Sequence, residues 1–168
     1  LAGIKKNHSL NFNFKILGID KEQYFKIYNI TALPLFCENC IDFKGKVPHE
    51  EALNYLFNSD FQVFVRENTL TNTAGFPTKF VEALSCGVPV LTNFSSDLKK
   101  YMQNQKNSFL LDISSIDKLI DSLLVPLQLS KEERVTLKIS CSESKNIFDY
   151  RNYLLDFNNF LSSIDTID

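Results

Sequence analysis

The chain has 168 residues, 44% hydrophobic and 23% charged, with a formal net charge of −2. That length suits one domain with its own core, and that balance offers no cationic footprint for nucleic acid or an anionic membrane. No apolar run approaches the ~18 residues a bilayer span needs, and Leu1-Ala2-Gly3-Ile4-Lys5-Lys6 lacks the basic-then-apolar order of a signal peptide. The first residue is Leu1 and the single Met is Met102, as expected of a piece of a longer protein. Four cysteines, scattered apart from the pair Cys37 and Cys40, fit a reducing compartment better than a disulfide-stapled secreted domain.

Along the chain, apolar character alternates through residues 12–17 up to Gly18, which predicts a strand. Residues 21–28 follow as a short helix with Asp20 as its N-cap. Alternation returns at 41–47, a second strand. Pro48 then suits a first helical position, with Glu50 and Glu51 complementing the dipole and Ala52, Leu53, Leu56 and Phe57 on one face. Residues 61–65 read as a third strand, followed by a long polar loop over 66–73. After the helix that follows Pro77 come a compact strand at 89–91, a helix at 96–102 and a strand at 108–111. Three-and-four spacing marks a helix at 116–124, and a terminal one at 150–161 whose aromatic stripe reads as its core face. Strands alternating with helices predict βαβ units: an α/β fold with a parallel sheet wound on both faces. Ligands in such sheets bind beyond the carboxyl ends of the strands, here at the loops 18–20, 47–49 and 66–78.

The most informative stretch is Thr73-Ala74-Gly75-Phe76-Pro77-Thr78-Lys79-Phe80-Val81-Glu82-Ala83-Leu84-Ser85-Cys86-Gly87-Val88-Pro89-Val90. A polar loop ends in Gly-Phe-Pro, a short helix starts, and Gly87 stops it before an apolar strand. The amide end of such a helix favours an anion. Lys79 adds a cation in the first turn, and Glu82 lies one turn on along the same face. Donors and a cation for phosphate, with an acceptor for sugar hydroxyls, fit a nucleotide-sugar site. The plainer alternative is a structural turn followed by an exposed Lys79–Glu82 ion pair worth ~0.3–0.5 kcal/mol.

Phe43-x-Gly45-x-Val47, Asn58-Ser59-Asp60, Gly75-Phe76-Pro77-x-Lys79-x-x-Glu82-Ala83, Gly87-x-Pro89-Val90 and Asn107 together resemble the C-terminal half of GT-B glycosyltransferases. The likeness is greatest to family 4, the group 1 glycosyltransferases, and relatives that build bacterial capsule, O-antigen and other surface polysaccharides. It covers most of residues 12–125. The resemblance implies a Rossmann-like donor-binding domain over 1–168, with Glu82 accepting hydrogen bonds from the ribose. It implies that the turn at Gly75, Phe76, Pro77 and Thr78 faces the diphosphate and donor sugar, and that the backbone at Val47, Pro48 and His49 reads the base. Lys79 is a candidate phosphate contact, and Arg66, at a strand end, another residue facing the site.

Two departures stand out. The family's first glutamate, eight positions before the second, is here Ala74, which puts donor identity in question. The strand, Gly-rich turn and helix that open similar domains have no counterpart ahead of Phe12, and Leu1-Ala2-Gly3 reads as the tail of that helix. The acceptor domain is likewise missing, so the chain alone is expected to turn over little or nothing. For the complete enzyme the resemblance implies retaining transfer of a hexosyl group from a UDP- or GDP-linked sugar, with no metal and no further cofactor. It implies a glycan or lipid-linked acceptor, no nucleic acid, and a cytoplasmic place, including the inner face of the membrane. No residue is assigned the catalytic step. A nucleotide-sugar epimerase half-domain and a non-catalytic nucleotide-sugar or protein-binding module stay open as alternatives.

Other groups read more plainly. Cys37-Glu38-Asn39-Cys40 lacks a second pair or flanking histidines for zinc and precedes a strand rather than opening a helix, so packing is its default role. His49 stays open as a surface residue, a base contact or a general base. His8 reads as solvated, Lys99 and Lys100 as exposed, and Cys86 as a small buried apolar group.

Overall fold

The computed structural model describes residues 10–164. It contains five short strands: β1 (Phe14–Leu17), β2 (Ile41–Gly45), β3 (Gln62–Val63), β4 (Val90–Thr92) and β5 (Ser108–Leu110). All their pairings are parallel, in two ladders, β1–β2 and β3–β4–β5. The single sheet expected from the alternation is therefore divided here: β1 and β3 each pair on one edge only among the described residues. The helices are α1 (Lys21–Tyr28), α2 (His49–Phe57), α3 (Leu70–Ala74), α4 (Thr78–Ser85), α5 (Ile116–Leu127), α6 (Lys131–Ser144) and α7 (Leu154–Ile164).

Helices cover both faces of the three-stranded ladder, as successive strand residues require. Val90 points into a cluster with Phe80, Ala83 and Leu84 of α4, whereas Leu91 joins Phe109 and Leu123 of α5 on the other side. The helix α6 serves both clusters, with Leu137 in one and Cys141 in the other. Gly87 lets it approach: its φ is +67°, and a Cβ there would collide with the Ser142 Oγ.

Local sequence accounts for most element starts. Asp20 forms a capping box with Gln23 at α1, and the Ser115 and Thr69 side chains cap α5 and α3. Several expectations need correction. Pro48 is the N-cap of α2 rather than its first residue, because its ψ of 151° is extended. The loop at 66–73 holds the start of α3, since Thr69 accepts from the Asn72 N–H and nucleates a turn. Residues Ser96–Lys100 form a 3₁₀-helix, entered through Ser96 at φ +51°. The α6 helix has too weak a periodicity to read from spacing, yet Ser130 and Glu133 box its start.

The terminal stripe does not face the core. A 3₁₀ turn at Tyr150–Tyr153 precedes α7, and every residue from Arg151 to Ile164 is exposed, Phe157 and Phe160 by more than half. Among the described residues α7 packs mainly against that turn, which leaves its apolar side open. No helix among the described residues is long and apolar enough to cross a membrane. Leu1-Ala2-Gly3 and His8 lie outside the described residues.

Candidate functional site

The predicted site residues follow the carboxyl ends of β2 and β3, which belong to different ladders. At the end of β2, Gly45 turns with φ +63° and donates its N–H to the Ile19 carbonyl (3.2 Å), while the Gly18 N–H reaches the Gly45 carbonyl (2.7 Å). The chain then runs through half-buried Val47 to Pro48 and exposed His49, the first residue of α2. Arg66 follows the end of β3 by three residues. No hydrogen bond, ion pair or ring contact joins residues 47–49 to residues 74–82 among the described residues. The structure thus brings the second group together and leaves Val47 and His49 on the other ladder.

The second group is built on a clamp. The Asn93 side chain, 6% exposed just after β4, accepts the Arg66 N–H (2.9 Å) and donates to the Arg66 carbonyl (2.8 Å). The Arg66 guanidinium then donates to the Gly75 carbonyl (2.7 Å) and to Asn72 Oδ1 (3.0 Å). Asn72 is itself tied by Nδ2 to the Glu67 carbonyl (2.9 Å). Neither Asn72 nor Asn93 belongs to the sequence-predicted set. Polar asparagine directly after the buried Val-Leu-Thr strand was the available signal.

Beyond the clamp, Phe76 packs edge-on against Tyr101, with ring centroids 5.4 Å apart, and Pro77 is buried. These contacts fix the entry to α4. Phe80, Ala83 and Leu84 bury one face of that helix, which leaves Thr78, Lys79 and Glu82 exposed on the other. Lys79 and Glu82 make no ion pair and no side-chain hydrogen bond among the described residues. The simple surface salt bridge is therefore not what these two residues form.

The start of α4 is electrostatically bare. Pro77 provides no side-chain cap, no acidic residue occupies the first turn, and Lys79 stands there with a charge that opposes the helix dipole. By contrast α1, α5 and α6 each combine a side-chain cap with an acid, and α2 has Glu50 and Glu51. Orphan N–H groups beside a cation favour an anionic ligand. Gly75 adds room: its φ is not positive, and a Cβ there would meet the Thr71 carbonyl oxygen at 3.5 Å and Arg66 Nη2 at 3.9 Å, ordinary contacts. Nothing among the described residues demands glycine at that position.

Ala74, exposed at the end of α3, leaves no carboxylate at that position. Cys86 is part-exposed rather than fully buried, because it follows the last turn of α4 at the rim of a cavity of about 470 Å³ shared with Gly87 and Ile139. Burial, with Glu82 nearby, raises its thiol pKa. That cavity and another of about 430 Å³ beside Phe109 and Leu137 are lined by residues other than the predicted set. Cys37 and Cys40 are buried ahead of β2, with the Cys40 Sγ 3.3 Å from the Cys37 carbonyl oxygen, in keeping with a packing role. Among the described residues no cluster of three or more His, Cys, Asp or Glu is arranged to hold a metal ion.

The sequence profile of glycosyl transferases group 1 matches residues 1–138. The chain belongs to this family. A comparison with curated proteins gave no match. Among solved structures, the group 1 chain is similar to Anabaena HepE in complex with UDP, at TM-score 0.64 and 16% identity over 90% of this chain and 41% of that one. It is similar to sucrose-phosphate synthase from Thermosynechococcus elongatus, also at 0.64 and 16%, over 92% of this chain and 39% of that one. The pneumococcal O-GlcNAc transferase GtfA in complex with UDP and GlcNAc gives 0.58 and 18%, over 92% of this chain and 30% of that one. Such neighbours are GT-B glycosyltransferases, so the expected α/β fold with parallel strands and helices holds. The chain spans 41% or less of the length of these three structures.

Proposed function

We propose that this chain is the donor-nucleotide domain of a retaining hexosyltransferase that works without a metal. The observation that carries the reading is the bare start of α4, with Lys79 and Glu82 exposed on one face and unpaired among the described residues. In this reading the amide groups at Phe76, Thr78 and Lys79 and the Lys79 ammonium bind the diphosphate, and the Glu82 carboxylate accepts the ribose hydroxyls. As the sugar leaves, negative charge grows on the nucleoside diphosphate. Fixed donors already aimed at it lower the barrier, the task a divalent cation performs elsewhere. Gly75 and Phe76 border the donor sugar, and Val47 and His49 meet the base from the other ladder. Structures of HepE and GtfA that hold UDP support a uridine nucleotide as the first ligand to test.

The split ladders support a place within a longer enzyme. A β–α unit ahead of Phe14, pairing with the open edges of β1 and β3, would join them into one sheet, and an N-terminal domain would bring a glycan or lipid-linked acceptor. The chain by itself is then inactive. The motif resemblance supports a role in bacterial surface-polysaccharide synthesis, in the cytoplasm or at the inner membrane face. A non-catalytic binding module is the second reading, favoured by Ala74, where the carboxylate is absent.

Calorimetric titration with UDP and GDP tests the first reading. One of them binds, and Glu82→Ala weakens it about tenfold, the size of a lost hydrogen bond to a charged acceptor. A chain that binds neither nucleotide sinks the donor-site assignment. Binding without turnover in a chain extended by its upstream domain leaves the module reading standing instead.

A further inference from the structure

Arg66 carries a charge that no carboxylate neutralises among the described residues: it forms no ion pair. Arg66 is half-buried, and its guanidinium is spent on two neutral acceptors, the Gly75 carbonyl and the Asn72 side-chain oxygen. Its own backbone is pinned on both polar atoms by Asn93, 27 residues away. The Arg66 side chain thus closes residues 66–75 into a loop, and the Asn93 side chain ties that loop to the end of β4.

The planar trans peptide gives this contact a consequence. The C=O and the following N–H of one peptide point in opposite directions. Holding the Gly75 carbonyl toward Arg66 therefore turns the Phe76 N–H away from it, and that N–H has no acceptor among the described residues. The next donors, on Thr78 and Lys79, belong to the uncapped start of α4.

We propose that Arg66, anchored by Asn93 and braced by Asn72, is the positioning residue of the donor site, holding the Gly75–Phe76 peptide so that its N–H joins those of α4 on the diphosphate. This role rests on the nucleotide-binding reading above. It needs arginine rather than lysine: two acceptors in different directions are met by a rigid fork and not by a point charge. A direct phosphate contact can use the same fork, but it would leave the nucleotide-free loop as it is.

The test compares Arg66→Lys, Arg66→Ala and Asn72→Ala by UDP calorimetry and by amide hydrogen exchange without nucleotide. All three lose roughly tenfold in UDP affinity, about one charge-assisted hydrogen bond, and all three exchange faster at 69–76 with β4 and β5 unchanged. If Arg66→Lys binds UDP as the unsubstituted chain does while Arg66→Ala fails, the residue acts by charge and the positioning role is overturned. Unchanged exchange at 69–76 overturns it equally. An unsubstituted chain that binds no nucleotide removes the donor-site reading and the positioning role together. Binding that Arg66→Lys and Asn72→Ala leave intact removes the positioning role alone.

Discussion

Two glycines a few residues apart answer to different demands. Gly87 sits at φ +67°, where a side chain is strained, and a Cβ there would also displace the Ser142 Oγ on α6, so the backbone itself favours glycine. Gly75 has an ordinary backbone and space for a Cβ, so no described residue requires glycine there. Gly87→Ala should cost about 1–2 kcal/mol in urea unfolding, the scale of a strained left-handed residue. Gly75→Ala should stay within ~0.5 kcal/mol of the unsubstituted chain, yet weaken UDP binding in calorimetry. Equal UDP affinity in Gly75→Ala would detach that turn from the ligand.

At the level of elements, α4 is the helix whose ends and faces disagree with its own stability. Its buried face is well made, with Phe80, Ala83 and Leu84 fully covered. Its first turn is not, because Lys79 faces the positive end of the dipole without an acid or a cap to offset it. Lys79→Ala should therefore raise stability slightly, by about 0.3–1 kcal/mol in thermal or urea unfolding, while lowering UDP affinity. A variant that is less stable and binds UDP normally would show that Lys79 serves the fold. The α6 helix is the opposite case, boxed by Ser130 and Glu133 with two acids in its first turn, and has no such conflict.

For the whole molecule, α6 ties the two core clusters together and contributes a strongly perturbed thiol. Burial pushes Cys141 up to about 12 from its ordinary value of 9.0. A raised folded-state pKa means the folded chain holds the proton longer than the unfolded one. That contribution is full below about pH 9 and is lost progressively as pH rises toward 12. The urea midpoint should fall between pH 9 and 11, and the fall should be shallower in Cys141→Ala. Alkylation of the native chain at pH 8 should reach part-exposed Cys86 well before Cys141; simultaneous labelling would contradict the packing of α6.

Within the sequence alone lay whatever is set by neighbours a few residues apart. The cap at Asp20, the alternation into Gly45, the apolar spacing of α4 and α5 and the Gly-Phe-Pro turn were legible because local hydrogen bonds and side-chain period produce them. The box at Ser130 and Glu133 was equally local, though the weak periodicity of α6 hid it. Tertiary structure alone decided that the ladders stand apart, that α7 turns its apolar side outward, and that Arg66 spends its fork on Gly75 under the hold of Asn93. Those outcomes depend on strand register and on which surfaces meet across tens of residues, and no short-range pattern encodes such a meeting.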